Sequence, residues 1–183
     1  MFGWMGKGIA ATLILCGCLT AGTAGVWLDV PFIRQKKEGC GSASVAMVMQ
    51  YWLGQQALPT GESAQEPAIF QALYSPESHG ILASDMEGYL QKQGFDTFAF
   101  RGTWQLLRQH LEKGRPLLVA LKPSAGAPLH YVVVAGMDSE SGLVMMNDPS
   151  GRKLLKQERK GFEKQWESAG NWTLLAVPRS DIP

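Results

Sequence analysis

The 183-residue chain is 45% hydrophobic and 18% charged, with a formal net charge of +1. That is the balance of one globular domain with a real core, not of a disordered chain. With the first 24 residues set aside, whose one charge is Lys7, basic and acidic side chains are equal in number; no basic face for nucleic acid is present, and no phosphate-cradling glycine loop points to a nucleotide.

Residues 1–25 stand apart in composition. Lys7 precedes an uncharged stretch, Gly8 to Gly25, whose apolar part Ile9–Leu19 gives way to small residues. This is the order of an export signal, and its apolar part is shorter than the ~20 residues that span a bilayer. Ordinary cleavage suits Gly22-Thr23-Ala24 or Gly25. Leu15-Cys16-Gly17-Cys18 is similar to a bacterial lipobox, which would leave Cys18 as the acylated N-terminus of a lipoprotein; in the bland reading Cys16 and Cys18 are small residues of the signal, and a retained N-terminal anchor is the remaining option. The mature domain, 26–183, then keeps one cysteine, Cys40, with no intramolecular disulfide partner.

Val26 to Phe32 reads as an extended segment, since Pro31 biases Val30 away from helix. A loop, Ile33 to Gly39, leads to a helix from Cys40 to about Trp52. Val45, Val48, Met49 and Trp52 share one apolar face, Ala43, Ala46 and Met47 widen it as in a central buried helix, and Gly54 is expected to end it. A polar loop follows, then a short helix over Glu66–Tyr74 and a turn at Pro76-Glu77-Ser78-His79-Gly80. Ser84 with Glu87 has the pattern of a capping box opening a helix to Gln93. Phe95 to Arg101 alternates as a strand, and Thr103 caps a helix that Gly114 stops. Strands are expected at Pro116–Leu121, Leu129–Gly136, Leu143–Asn147, Arg152–Leu155 and Asn171–Val177, with a hairpin turn at Asp138–Gly142 and a short helix at Gly161–Ser168. Helices first and antiparallel strands afterwards point to an α+β fold with a helical half and a sheet half.

Four residues carry candidate chemistry. Cys40 lies between two glycines at a helix start, where the positive end of the helix dipole favours a thiolate and its own N–H can donate to an oxyanion. The bland reading is a small buried cysteine; the exported setting, the glycines and the helix start weigh against it. His130 opens the apolar strand Tyr131-Val132-Val133-Val134, so its imidazole needs a polar partner; it is either a backbone-bonded core histidine or the base that holds the thiolate. A hairpin centred near residue 140 pairs 132 with about 148, placing Asp148 diagonally across from His130, where a carboxylate fixes the imidazole's orientation or merely starts a turn. Gln35 has an amide that can serve as a second oxyanion donor, although a loop glutamine alone says little. Glu38 reads as a solvated loop carboxylate. His79, on a loop, is a candidate for lining a cleft; His79 and His110 lack metal-ligand spacing, and no metal or cofactor is expected. Trp27, Trp52, Trp104, Trp166 and Trp172 read as core or rim aromatics.

Gln35, Gly39-Cys40-Gly41, Ala43-Ser44 and Ala46-Met47, followed by Leu129-His130-Tyr131-Val132-Val133 and Asn147-Asp148-Pro149 with Gly151, resemble the C39 peptidases of the papain-like cysteine peptidase clan. The resemblance runs from about Leu28 to Val177. It implies a papain-like α+β fold, with the cysteine helix packed centrally on an antiparallel sheet. It also implies a cysteine peptidase with Cys40 as nucleophile, His130 as base and acid, Asp148 as orienting carboxylate and Gln35 as oxyanion donor, which the N-terminal export signal would send out of the cytoplasm. A peptide or protein would be the substrate, and the N-terminus a possible membrane tether. Many members of that family sit on exporters and trim double-glycine leaders; these 183 residues hold neither membrane bundle nor nucleotide domain, so leader trimming is not carried over. The five-residue step from Gln35 to Cys40 is one shorter than in many papain-like enzymes. A non-catalytic peptide-binding module and an acyl transferase using the same cysteine are the alternatives.

Overall fold

The computed structural model describes Met1 and residues 25–179; the expected export signal and lipobox lie outside the described residues. Every strand pairing is antiparallel. Strands β1 (Val26–Trp27), β2 (Phe95–Arg101), β3 (Leu117–Leu121), β4 (His130–Asp138), β5 (Leu143–Asn147), β6 (Leu155–Glu158) and β7 (Trp172–Pro178) form one sheet in the order β2-β7-β3-β4-β5-β6, with β1 paired to the far half of β4. Among the described residues five α-helices cover it: α1 (Cys40–Gln55), α2 (Glu66–Leu73), α3 (Ala83–Lys92), α4 (Trp104–Glu112) and α5 (Arg159–Glu167).

Strand alternation decides which helix meets which face. Leu118, Ala120, Tyr131, Val133 and Leu174 turn toward the core of α1, α2 and α3. Leu117, Val119, Leu121, Val132, Val134 and Leu175 turn to the opposite side, where α4 offers Trp104, Leu107 and Leu111 and α5 offers Phe162 and Trp166. The fold is the expected α+β, and the refinement is that helices cover both sheet faces. Helix α1 lies deepest: Val45, Ala46 and Met47 are fully buried, and Val48, Met49 and Tyr51 nearly so. Burying each large apolar side chain contributes about 1.5–3 kcal/mol, which holds the N-terminus of α1 firmly against β4.

Several boundaries differ from the sequence reading. Gly54 does not end α1; the helix continues to Gln55, and Ala57 at φ +54° makes the turn. The Ser84–Glu87 capping box does not form. Ile81 is anchored in the core, α3 starts at Ala83, and Ser84 already lies in its first turn without a capping bond. The last hairpin strand begins at Leu155 rather than Arg152. The Asp148 N–H donates to the Arg152 carbonyl and the Gly151 N–H to the Asp148 carbonyl, so residues 148–152 are consumed in a turn. Thr103, by contrast, caps α4 as expected, its hydroxyl accepting from the Leu106 N–H at 3.2 Å.

The β4–β5 hairpin carries the site. Val133 pairs with Asn147, which extends to 132 opposite 148, the register that the turn position predicts. A bulge between Val134 and Gly136 shifts the pairing by one residue nearer the turn. It also reverses the facing: Val132 and Val134 share the α4–α5 side with Met137, an odd position after two even ones. Gly136 is required at this point, because a Cβ there would stand 2.8 Å from the Val26 carbonyl and 2.9 Å from Cβ of Trp27.

Candidate active site

Cys40 is the first residue of α1, and Gly39 precedes it without any side-chain cap. The first N–H groups of a helix have no partner within it, and the Cys40 N–H has none among the described residues. The Gly39 N–H closes a tight turn on the Lys36 carbonyl at 3.1 Å, and the Ala43 N–H returns to the Gly39 carbonyl at 3.0 Å. Beneath this turn the buried Ser42 hydroxyl donates to the buried Glu66 carboxylate at 2.9 Å. Close packing explains the glycines: a Cβ at Gly39 would lie 3.2 Å from Glu66 Oε1, and one at Gly41 3.0 Å from Cβ of Ile81.

His130 is the first residue of β4. The Ser44 hydroxyl, one turn into α1, donates to the next carbonyl on that strand, Tyr131, at 3.2 Å. This bond fixes the helix start against the strand start and so sets Cys40 beside His130. The imidazole Nε2 lies 2.8 Å from Asp148 Oδ1, and the two side chains are only 22% and 17% exposed. With Nε2 engaged by Asp148, Nδ1 is the ring nitrogen left for the Cys40 thiol, which lines the same cleft. Burial pushes the imidazole pKa down, but the bonds to Asp148 and Cys40 overrule it and raise the value to about 9. Burial likewise pushes Asp148 up, and the bonds from His130 and Ser150 prevail, holding it at about 2. Ser150 supplies both its N–H, at 2.9 Å, and its hydroxyl, at 2.8 Å, to Asp148 Oδ1.

Gln35 joins the same site. Its N–H donates to the Pro149 carbonyl at 3.0 Å, tying the loop before Cys40 to the turn that carries Asp148. Its side-chain Oε1 is buried without a partner, and the residue lines the cleft that holds Cys40 and His130. Gln35, Cys40 and His130 therefore line one open cleft of about 480 Å³, and Asp148 reaches the site from behind His130, in the lining of a neighbouring cavity. Among the described residues no cluster of three His, Cys, Asp or Glu side chains is arranged to hold a metal ion.

Sequence reasoning missed the role of Asn147. It is fully buried, its amide donates to the carbonyls of Val30 and Pro31 at 3.0 and 3.3 Å, and its Oδ1 accepts from the Leu154 N–H at 3.0 Å. It thus clamps the leading segment and the Asp148 turn together. The signal was a polar residue closing an otherwise apolar strand, Leu143–Met146. Asn147→Ala strands one buried and two part-buried backbone groups and is expected to cost about 2–4 kcal/mol, read as a lowered urea midpoint with unchanged slope. Glu38 also departs from its reading as a solvated carboxylate: its side chain is 31% exposed, the Tyr74 hydroxyl donates to Oε2, and His79 Nδ1 stands 3.8 Å from Oε1. His79 lines the cleft, as its loop position suggested. His110 lies on α4, with its ring 5.9 Å from Phe100, and burial followed by the charges of Arg115 and Lys113 pushes its pKa down.

Comparison with known proteins agrees with this fold. Over 142 residues the chain is 31% identical to the transport/processing ATP-binding protein ComA of Streptococcus pneumoniae; the match covers 78% of this chain but only 18% of that protein's length. Among solved structures, a protein described as a C39-like peptidase from Bacillus anthracis superposes with a TM-score of 0.63 at 20% identity, over 86% of this chain and 99% of the other. The peptidase domain of Streptococcus ComA gives 0.63 at 16% identity, over 82% and 98%. A double-glycine-motif protease from an AMS/PCAT transporter, solved with its leader peptide, gives 0.63 at 19% identity, over 84% and 95%. These likenesses show the fold, and the model of the Peptidase_C39 like family matches residues 27–174, so the chain belongs to that family.

Proposed function

We propose that this chain is a cysteine peptidase that hydrolyses peptide bonds through Cys40, His130 and Asp148. The observation that carries the reading is the imidazole of His130 held by Asp148 at 2.8 Å while His130 and Cys40 line the same cleft. The Cys40 sulfur attacks the scissile carbonyl and an S–C bond forms. The carbonyl oxygen gains negative charge, for which the Cys40 N–H and the Gln35 amide are the proposed donors. His130 passes its proton to the leaving amine as the C–N bond breaks, leaving an acyl-enzyme. Water then gives a proton back to His130, attacks the acyl carbon and releases the thiolate. Asp148 keeps the imidazole oriented and stabilises its charged form throughout.

The family membership and the peptide-bound neighbour support a peptide as substrate. The Lys7–Gly25 stretch supports work outside the cytoplasm, in the periplasm or beyond, with Cys18 as a lipid attachment point. Fractionation of cells making the full chain or Cys18→Ser tests this: a fully cytoplasmic, unprocessed protein overturns export, and unchanged membrane association in the variant overturns the lipid tether.

The first test of the chemistry is the alkylation of Cys40 by iodoacetamide in the protein and in His130→Ala. At pH 6 the wild-type thiol is expected to react at least about 10-fold faster than in the variant, because the imidazolium favours the thiolate. Equal rates would remove the ion pair and leave the cleft as a peptide-binding groove.

A further inference from the structure

The cleft has a charged wall that the hydrolytic mechanism does not use. Of the five non-glycine residues with positive φ among the described residues, two meet in this wall: Glu38 at φ +60° and His79 at φ +47°. Such backbone is costly for residues with a Cβ, of order 1 kcal/mol or more, and persists where the surroundings enforce it. Here they do. His79 tops a loop closed by the Ser75–Gly80 bridge, with the Ser75 N–H donating to the Gly80 carbonyl at 2.9 Å. Glu38 is held through Oε2 by Tyr74, whose ring stacks on Phe70 at 4.6 Å. That leaves Oε1 facing His79 at 3.8 Å.

The charge of this wall is distinctive. Glu38 is the one carboxylate lining the cleft among the described residues, and no lysine or arginine lines it. Lys36 and Lys37, on the same loop, are exposed and outside the lining. In the reacting state the Cys40 thiolate, the His130 imidazolium and the Asp148 carboxylate leave one negative charge, and Glu38 adds a second, the one that lies in the lining of this cleft. Beside it Ile81 and the 47%-exposed Leu82 form an apolar shelf. A carboxylate next to an apolar shelf suits a lysine or arginine, whose methylene stem lies on the leucine while the head meets the carboxylate.

The mechanism fixes which half of the peptide meets this wall. His130 must reach the leaving nitrogen, so the leaving half lies along Pro128 and Leu129, the residues that run into His130. The acyl half is left with Ile81, Leu82 and the Glu38–His79 pair. Glu38 is two residues from the nucleophile, a chain distance of at most about 7 Å. Resting on the peptidase reading above, we infer that Glu38 is a specificity-determining residue: it selects substrates with a lysine or arginine at one of the two acyl-side residues next to the scissile bond, the cation taking the place of His79 at Oε1.

Peptidyl acyloxymethyl ketones test this. The thiolate displaces their carboxylate and leaves a thioether on Cys40, so labelling reads recognition without turnover. Probes with lysine, arginine, norleucine or glutamate at either acyl-side position are compared on the mature protein by intact mass. The lysine and arginine probes are expected to label roughly 5- to 10-fold faster than norleucine at low salt, and the advantage should shrink at high ionic strength. Glu38→Gln keeps the shape and the Tyr74 partner, and is expected to bring the lysine-to-norleucine ratio close to one. Glu38→Lys should place the glutamate probe ahead. A wild-type ratio near one, or one that Glu38→Gln leaves intact, overturns the inference; if iodoacetamide labelling still depends on His130, the peptidase reading survives that failure. Iodoacetamide labelling indifferent to His130 would instead overturn the peptidase reading, and the inference with it.

Discussion

Cys40→Ala is expected to reduce peptide hydrolysis below about a thousandth of wild type while leaving the fold in place. The size of the loss follows from chemistry: no other thiol remains in the described domain, and without a nucleophile the acyl-enzyme route is closed, leaving only what the oxyanion donors and binding can do for direct attack by water. The fold should survive because the first position of α1 asks little of its side chain. Cys40 is only partly buried, alanine is the best helix former, and the helix is held from Val45 to Met49 and by the Ser44–Tyr131 bond. Thermal unfolding should therefore shift by no more than a few degrees. Turnover in this variant above a hundredth of wild type would place the reaction elsewhere, and a collapsed melting transition would make Cys40 a core residue.

Much of this site was legible because its parts are local in sequence or set by one hairpin. Gly39-Cys40-Gly41 before an apolar helical run places a thiol at a helix start by periodicity alone. A turn centred near residue 140 puts 148 opposite 132 by counting, and the observed pairing of Val133 with Asn147 agrees. What the sequence did not disclose depends on contacts between distant segments. The amphipathic faces of α4 and α5 show that each helix packs on something, but not on which side of the sheet. That side follows from the strand order, in which β7 inserts between β2 and β3. Asn147 bonds carbonyls more than a hundred residues earlier in the chain, and a loop glutamate shows no sign in sequence of a tyrosine 36 residues later or a histidine beyond it. Helix starts were misjudged where a core anchor outweighed a cap: Ile81 sets the beginning of α3, so Ser84 and Glu87 never meet as a box.

Asp148→Asn is expected to lower kcat about 100-fold and to move the alkaline limb of activity downward. The wild-type imidazole titrates at about 9 because Asp148 and the Cys40 thiol favour its charged form over the cost of burial. Activity that needs a protonated His130 to deliver a proton to the leaving amine should thus persist to about pH 9 and fall tenfold per unit above it. Asparagine accepts a hydrogen bond but carries no charge, so the imidazole loses its proton at lower pH and the limb moves toward the ordinary histidine value near 6.5. The same pair contributes to stability, with opposite signs at its two ends. His130 binds its proton more tightly folded than unfolded, so its contribution is full below pH 6.5 and is lost as pH rises through about 9. Asp148 holds its proton less tightly folded, so its contribution is full above 3.8 and is lost as pH falls through about 2. Both describe one bond and are not added; at about 1.4 kcal/mol per pH unit the interval at His130 bounds the alkaline loss at ~3.5 kcal/mol, and residual solvent screening reduces it to about 1–2. Urea unfolding at pH 6 and pH 9.5 measures that loss, and it should be smaller in Asp148→Asn by most of this amount. An alkaline limb that stays at pH 9 in the variant would mean that Asp148 does not set the charge state of His130, and the carboxylate would revert to a turn residue held by Ser150.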